Sequence, residues 1–136
     1  MDNIKSQINY WRKSASMNWQ TAEDLFKLKH YDACLFFCHL TLEKMLKGLS
    51  VRQTRKIVPR IHDLERLSLL AKLDLSEEQL KNLRVITGFN IGGRYDDAKF
   101  AFYKKCTRSY TEKYFKISKE LYLWLKEKYQ KKQKSK

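Results

Sequence analysis

The segment from residue 31 to residue 51, YDACLFFCHLTLEKMLKGLSV, is apolar on nearly every face of a helix until it reaches Glu43. A helix that is apolar all round is buried, because a surface helix keeps a polar face toward water. Such a helix has to be surrounded by other elements. The segment therefore predicts the central helix of a helical bundle.

The rest of the chain supplies helices that can surround the central one. Over residues 4–26, apolar residues recur in steps of three and four, which is typical of one long amphipathic helix. A short helix is expected over residues 62–73, and Ser76 with Gln79 fits a capping box that begins another helix. The loop GFNIGGRYDD then holds three of the four glycines and precedes a last long helix, expected from about Ala98 to Tyr129.

These elements predict an all-α fold, an antiparallel up-and-down bundle of four to five helices in one domain over residues 1–129. Residues 130–136 are expected to form a basic, disordered tail. The last helix carries two apolar stripes, which predicts two buried faces, one of them against a second subunit. The stripes are Tyr110, Tyr114, Ile117, Leu121, Trp124 and Lys128, and Phe115, Tyr122, Leu125 and Tyr129.

The net charge of the chain indicates which classes of molecule it can bind. Basic residues number 29 against 15 acidic ones, a formal net charge of +14. Such a balance favours polyanions such as RNA, DNA or nucleotides, although a solvated basic surface would give the same composition. No run of about 18 apolar residues and no secretion signal is visible, so no membrane contact is expected. Three cysteines, an odd number, favour reduced thiols and a cytoplasmic location.

Metal and cofactor motifs are weak. Cys34 and Cys38 lie one helical turn apart beside His39, which is half of a zinc site, but Cys106 is distant and no second pair exists. Small apolar cysteines in a core are the favoured interpretation, so no metal and no cofactor is predicted. The chain has no GxxxxGK[ST] motif. Glycines ahead of a helix in GFNIGGR can seat an anion, but a flexible turn is favoured on spacing alone.

Charged residues at two places in the chain can be explained either as structural or as part of a functional site. Glu43 and Lys44 lie in the otherwise apolar central helix, so they either reach the surface or meet partners such as Arg94 and His62. The connector RKIVPRIHDLERL, residues 55–67, places His62 beside Asp63. On spacing alone, a helix-capping segment is favoured there over a working site.

Three segments resemble, in order, those of the HEPN family (higher eukaryotes and prokaryotes nucleotide-binding domain). AEDLFKLKHYDACLFFCHLTLEKMLKGL places Glu43, Lys44 and Lys47 at the typical EKxLK positions. VPRIHDLERL resembles the P-x-x-HDL-x-x-L segment, and FNIGGRYDD resembles the NIxxRYPD segment ahead of the final helix, with Asp96 in place of proline. Leu40 stands where a glutamine is common, and the similarity covers residues 18–126.

The resemblance implies a binding module for nucleotides or the phosphates of RNA. Many relatives form homodimers and bind a small nucleotidyltransferase encoded beside them, sometimes as a toxin–antitoxin pair. Arg94, His62 and Glu43–Lys44 are expected to converge in one cleft. The expected phosphate-binding residues are Glu43, Lys44, Lys47, His62, Asp63, Arg94 and Tyr95.

An enzyme is the alternative that the resemblance leaves open. Some branches of the family are metal-independent ribonucleases with an Arg-x(4–6)-His motif, in which histidine moves a proton and arginine steadies phosphate charge. Arg55 lies at that spacing before His62, and Arg60 is a second candidate. The pair straddles Pro59 in a connector, whereas the family motif usually lies in a late helix, so the binding module is favoured. A non-catalytic structural dimer with a basic surface is a third possibility.

Overall fold

A computed structural model describes residues 2–131, and these fold into six helices without a strand. The all-α fold is confirmed. Residues 132–136, most of the expected basic tail, lie outside the described part of the chain. The helices are α1 Asp2–Lys27, α2 Tyr31–Thr54, α3 Leu64–Leu70, α4 Glu77–Thr87, α5 Asp96–Lys105 and α6 Arg108–Gln130.

Helix α2 is the centre of the bundle, as the sequence predicts. It contacts each of the other five described helices. Leu35, Leu42 and Leu46 are fully buried, and so are polar residues on the same helix. The long α1 runs along α2 for most of its length, and α6 covers another side. Every polar side chain that faces inward from α2 therefore needs a partner within the fold.

The final helix is interrupted, so the prediction of one continuous helix over residues 98–129 was wrong. Helix α5 ends at Lys105, and Thr107 begins α6 by accepting a hydrogen bond from the Tyr110 backbone N–H at 3.2 Å. A threonine oxygen satisfies a donor that a helix start leaves open. No glycine or proline marks this break, and the cap alone starts a second helix.

The second apolar stripe of α6 packs inside the same chain. Phe115 stacks on Trp19 and on Phe26 of α1, with ring centroids 5.1 and 4.7 Å apart. Tyr122 also contacts the Trp19 ring and is buried. Helix α1 therefore covers this stripe, and the expectation that one face of α6 meets a second subunit stays a prediction.

The end of α6 is fastened to α2 by close contacts. The Tyr129 hydroxyl donates to the Met45 carbonyl at 2.6 Å, and Arg52 donates to the carbonyls of Lys128 and Tyr129 at 2.9 and 3.0 Å. Gly48 makes this approach possible, because a Cβ at that position would overlap the Tyr129 hydroxyl. A cation at a helix C-terminus also interacts favourably with the helix dipole.

The predicted helix starts after α2 are present. Asp63 caps α3 by accepting from the backbone N–H groups of Glu65 and Arg66. Ser76 and Gln79 form the predicted capping box at α4. Over the described residues, no helix combines the length and the hydropathy that crossing a bilayer would need.

Candidate functional site

Three polar side chains form a row on one buried face of α2. His39, Glu43 and Lys47 are spaced by four residues, so they follow one another along the same side of the helix. All three are buried, with no more than 8% of any residue exposed. Buried charges are costly unless they are paired, so the contacts of this row decide what it does.

Glu43 lies at the centre of the row and is paired on both carboxylate oxygens. Lys47 Nζ donates to Oε2 at 2.8 Å, and His62 Nδ1 lies 3.0 Å from Oε1. Burial alone raises the pKa of Glu43, but the hydrogen bonds from Lys47 and His62 outweigh it, so the pKa lies below its usual value. The carboxylate is therefore ionised at neutral pH and accepts from both neighbours.

His39 holds the backbone of the connector. Its Nε2 lies 3.1 Å from the His62 carbonyl oxygen, and the ring is fully buried. Burial lowers the pKa of His39, so the ring is neutral and donates its Nε2–H to that carbonyl. His39 was not expected to support the site. The signal for it was present in the spacing of three polar residues at four-residue intervals within an apolar helix.

Two successive turns of α2 consequently fix His62. His39 holds its backbone carbonyl, and Glu43 holds its ring. Its side chain is nevertheless 61% exposed. Since Nδ1 contacts Glu43, Nε2 is the ring nitrogen left for another molecule; it has no hydrogen-bond partner within residues 2–131. A ring held in this way can donate to an anion when protonated or accept a proton when neutral.

The residues on either side of His62 anchor the connector. Asp63 uses its carboxylate to cap α3, with Oδ1 3.0 Å from the Glu65 nitrogen. The Leu64 backbone N–H donates to the Thr87 hydroxyl of α4 at 3.1 Å. Asp63 therefore acts as a structural cap, and α4 joins α2 in fixing the position of His62.

The other expected binding residues do not all join this cluster. Lys44 is half-buried, and burial lowers its pKa more than Glu43 raises it, but no polar contact ties its side chain to His62. Arg94 is exposed and lines a separate pocket of about 470 Å³ together with Phe89, Phe102 and Tyr110. Tyr95 precedes α5 and is 91% exposed. The structure thus unites Glu43, Lys47 and His62, whereas Arg94 lines another cavity.

The two arginines considered for catalysis lie in the connector, Arg55 at its first residue and Arg60 two residues before His62. Arg55 is the C-cap of α2, with a left-handed backbone at φ 62°, and its N–H donates to the Val51 carbonyl. Arg60 is exposed and makes no polar contact with His62 within the described residues. The cluster at Glu43 is therefore built around a carboxylate and a lysine, and Arg60 takes no part in its hydrogen bonds.

The cysteines pack in the core. Cys34, Cys38 and Cys106 are buried free thiols. Burial, together with a hydrogen bond to Cys34, raises the pKa of Cys38 well above its usual value. Within residues 2–131, no three histidine, cysteine or acidic side chains come together in a way that could hold a metal ion. The interpretation of the cysteines as core residues is confirmed.

Residues 8–129 match the family model described as the HEPN domain. The chain belongs to the HEPN family. The match includes α2, the connector and all of α6 except its last residue, so every residue of the Glu43 cluster lies within the HEPN domain.

A solved structure has the same fold. It is a crystal structure of the protein TT1696 from Thermus thermophilus, and its superposition gives a TM-score of 0.74 at 26% sequence identity. The alignment covers 90% of this chain and 98% of that one. No curated protein matches the sequence.

Proposed function

We propose that this HEPN domain binds the phosphate groups of a nucleotide or of RNA at His62. One observation carries the proposal: an exposed imidazole is held by a buried, ionised carboxylate at 3.0 Å. The carboxylate keeps a proton on Nδ1, so Nε2 is directed away from the protein for a ligand. A protonated ring then offers a charge-assisted hydrogen bond to a phosphate oxygen.

The charge of the chain supports this choice of ligand. A net charge of +14 attracts polyanions over distances longer than a hydrogen bond. Within the cluster itself, Glu43 neutralises Lys47, so the exposed His62 ring is the member of the cluster that can donate a hydrogen bond to an anion. An anionic ligand such as phosphate is therefore favoured over an uncharged one.

Binding of short single-stranded RNA, measured by fluorescence anisotropy, tests the proposal. His62→Ala is expected to weaken binding about tenfold, because a charge-assisted hydrogen bond is lost. His30→Ala is the matched control, because His30 is an exposed histidine outside the cluster, and it should change the affinity by less than about twofold. Equal binding by wild type and His62→Ala would contradict the proposal.

The proposal includes protein partners. Aromatic side chains stay exposed on α5 and just before it: Tyr95, Phe100 and Tyr103 are 91, 58 and 60% exposed. Exposed aromatic surface of this kind is typical of protein interfaces. We assign this surface to a small nucleotidyltransferase, in the manner of a toxin–antitoxin pair, and also propose a homodimer.

Two measurements separate these partners. Phe100→Ser with Tyr103→Ser is expected to abolish co-purification with a nucleotidyltransferase co-expressed from the neighbouring reading frame, while leaving the helical circular-dichroism signal unchanged. Light scattering of the purified chain alone should give twice the chain mass. A monomeric mass would contradict the homodimer, and retained co-purification would remove the assignment of the α5 surface.

A metal-independent ribonuclease is the second candidate, and the Glu43–His62 contact favours it as well. With Nδ1 held by Glu43, a neutral His62 can take the proton of a ribose 2′-OH at Nε2 while that oxygen attacks phosphorus. The P–O5′ bond then breaks, and the leaving 5′-oxygen takes a proton from solvent. Arg55 or Arg60 would steady the phosphate charge. The test is cleavage of single-stranded RNA in chelator, with 2′,3′-cyclic ends expected. Undiminished cleavage by His62→Ala would remove His62 from that role.

A further inference from the structure

A pocket of about 320 Å³ opens between α1 and α6 on the side of α2 away from His62. Its floor includes Met45, which lies two residues from both Glu43 and Lys47 and therefore on the opposite face of the helix. The pocket and the Glu43 cluster are thus separate sites on two sides of the same helix.

The rim of this pocket is cationic. Arg12 and Lys13 from α1 and Lys126 from α6 line it, and no acidic residue does. None of the three cations forms an ion pair with a carboxylate of the described residues; the ion pairs there involve other side chains. Burial and the charge of Glu23 raise the pKa of Tyr122, but Glu23 does not line the pocket.

Two of the cations are held in place by aromatic rings. The Arg12 guanidinium carbon lies 4.7 Å from the centroid of the Tyr129 ring, and Lys126 Nζ lies 5.3 Å from that of the Tyr122 ring. Such contacts orient a cation and leave its N–H groups free to bind an anion. Tyr129 is itself fixed by its hydrogen bond to Met45, so the Arg12 position is tied to the core.

The pocket also contains two hydroxyl groups. Those of Ser16 and Tyr122 line it and form a hydrogen bond with each other. Three like charges without a counter-ion repel one another, and an anion that bridges them removes this repulsion. A ligand with adjacent phosphates brings several negative charges to the three cations at once.

We propose that Arg12, Lys13 and Lys126 form a second anion site, which binds two or more adjacent phosphate groups. The source of these phosphates is either the triphosphate of a free nucleotide or the backbone of an RNA strand. This site is independent of His62, so its success or failure does not depend on the function proposed above.

The test compares two variants with the same net charge. The pocket variant is Arg12→Gln, Lys13→Gln and Lys126→Gln. The control variant is Lys27→Gln, Lys99→Gln and Lys116→Gln, three exposed lysines that do not line the pocket. Calorimetric titration with inorganic tripolyphosphate at low salt should show an affinity loss of about tenfold or more for the pocket variant and less than about twofold for the control.

Two further binding measurements identify the source of the phosphates, and a double variant shows whether a loss of affinity comes from misfolding. If a free nucleotide is the source, ATP should bind at least as tightly as tripolyphosphate. If an RNA strand is the source, the plot of log affinity for single-stranded RNA against log salt concentration should become less steep by about 2–3 in the pocket variant only. Either result supports the site. The double variant Lys13→Gln, Lys126→Gln keeps the Arg12–Tyr129 contact and should still lose most of the tripolyphosphate affinity.

Three results would overturn the second site. The first is an equal loss of affinity in the pocket and control variants, which would mean that net charge alone attracts the anion. The second is no binding of tripolyphosphate, ATP or RNA that depends on the pocket. The third is a loss of tripolyphosphate binding in His62→Ala but not in the pocket variant, which would leave the His62 proposal standing alone.

Discussion

The two faces of α2 differ in whether their charged side chains are paired. On the face of His39, Glu43 and Lys47, the two charged residues are buried and pair with each other at 2.8 Å, and His62 contacts the same carboxylate at 3.0 Å. On the Met45 face, three cations line an open pocket without any carboxylate. The first arrangement fixes one imidazole with precision, and the second leaves positive charge available. Stability should therefore depend strongly on the first face, and affinity for anions on both.

Removal of Glu43 is expected to have the largest effect on stability. Glu43→Leu leaves Lys47 buried without a counter-charge, which costs about 3–5 kcal/mol in the free energy of unfolding. Urea unfolding monitored by circular dichroism measures this loss. The double variant Glu43→Leu, Lys47→Met removes both charges and should be clearly more stable than the single variant. A loss below about 1 kcal/mol for Glu43→Leu would show that the pair is not effectively buried.

Gly48 lets the end of α6 approach α2 closely, because it has no side chain. Gly48→Ala places a Cβ against the Tyr129 hydroxyl and should cost about 1–3 kcal/mol in the free energy of unfolding, as overpacking does. In a Tyr129→Phe background the hydroxyl is absent, so the same substitution should cost clearly less. Equal costs in the two backgrounds would locate the strain elsewhere, for instance at the Trp11 side chain.

His39 should make stability depend on pH. Its pKa in the fold lies below its ordinary value of 6.5, so the unfolded chain takes up a proton first as the pH falls. This contribution to stability is complete above the unfolded pKa and is lost on acidification, by an amount on the order of 1 kcal/mol between pH 7.5 and 5.5.

The variant His39→Gln keeps a donor for the His62 carbonyl but cannot titrate. Urea unfolding of wild type and variant at both pH values isolates the contribution of the ring, because the other titrating groups are common to both proteins. The variant should show a weaker pH dependence than wild type. Parallel pH dependence in the two proteins would contradict a buried, neutral His39.

The Met45 face should tolerate charge removal. Lys13→Gln and Lys126→Gln are expected to change the free energy of unfolding by less than about 0.5 kcal/mol each, because exposed surface substitutions seldom matter more. Urea unfolding under the same conditions as for Glu43→Leu gives the direct comparison. A large loss from either lysine would mean that its contact with the fold is structural, and the contrast between the faces would disappear.

The sequence predicted the fold well where local physics decides it. The apolar run of α2 predicted burial, and Ser76 with Gln79 predicted the start of α4. The break between α5 and α6 was missed, because the apolar spacing continues past Cys106 and only a threonine cap marks the new helix. The burial of the second α6 stripe was predicted, but its packing against α1 was not, since an apolar stripe does not reveal what covers it.

The candidate site was only partly predictable. A charged residue in an apolar helix required a partner, and His62 was one of two named candidates for Glu43, which it contacts. Lys47 was expected through the family motif, whereas its pairing with Glu43 follows from the i, i+4 spacing. The four-residue spacing could have marked His39 as a candidate, but its role depends on where the connector crosses α2, which is a long-range contact that the spacing does not encode. Arg94 lines a different pocket for the same reason.

Histidine NMR tests the central claim most directly, because the chain has only three histidines. His39 is fully buried and His30 is exposed outside the cluster, so both serve as internal controls. On titration with single-stranded RNA, the ring resonances of His62 should shift, with the largest change at Nε2, while those of His30 and His39 stay nearly constant. An unshifted His62 ring at saturating RNA would contradict the account.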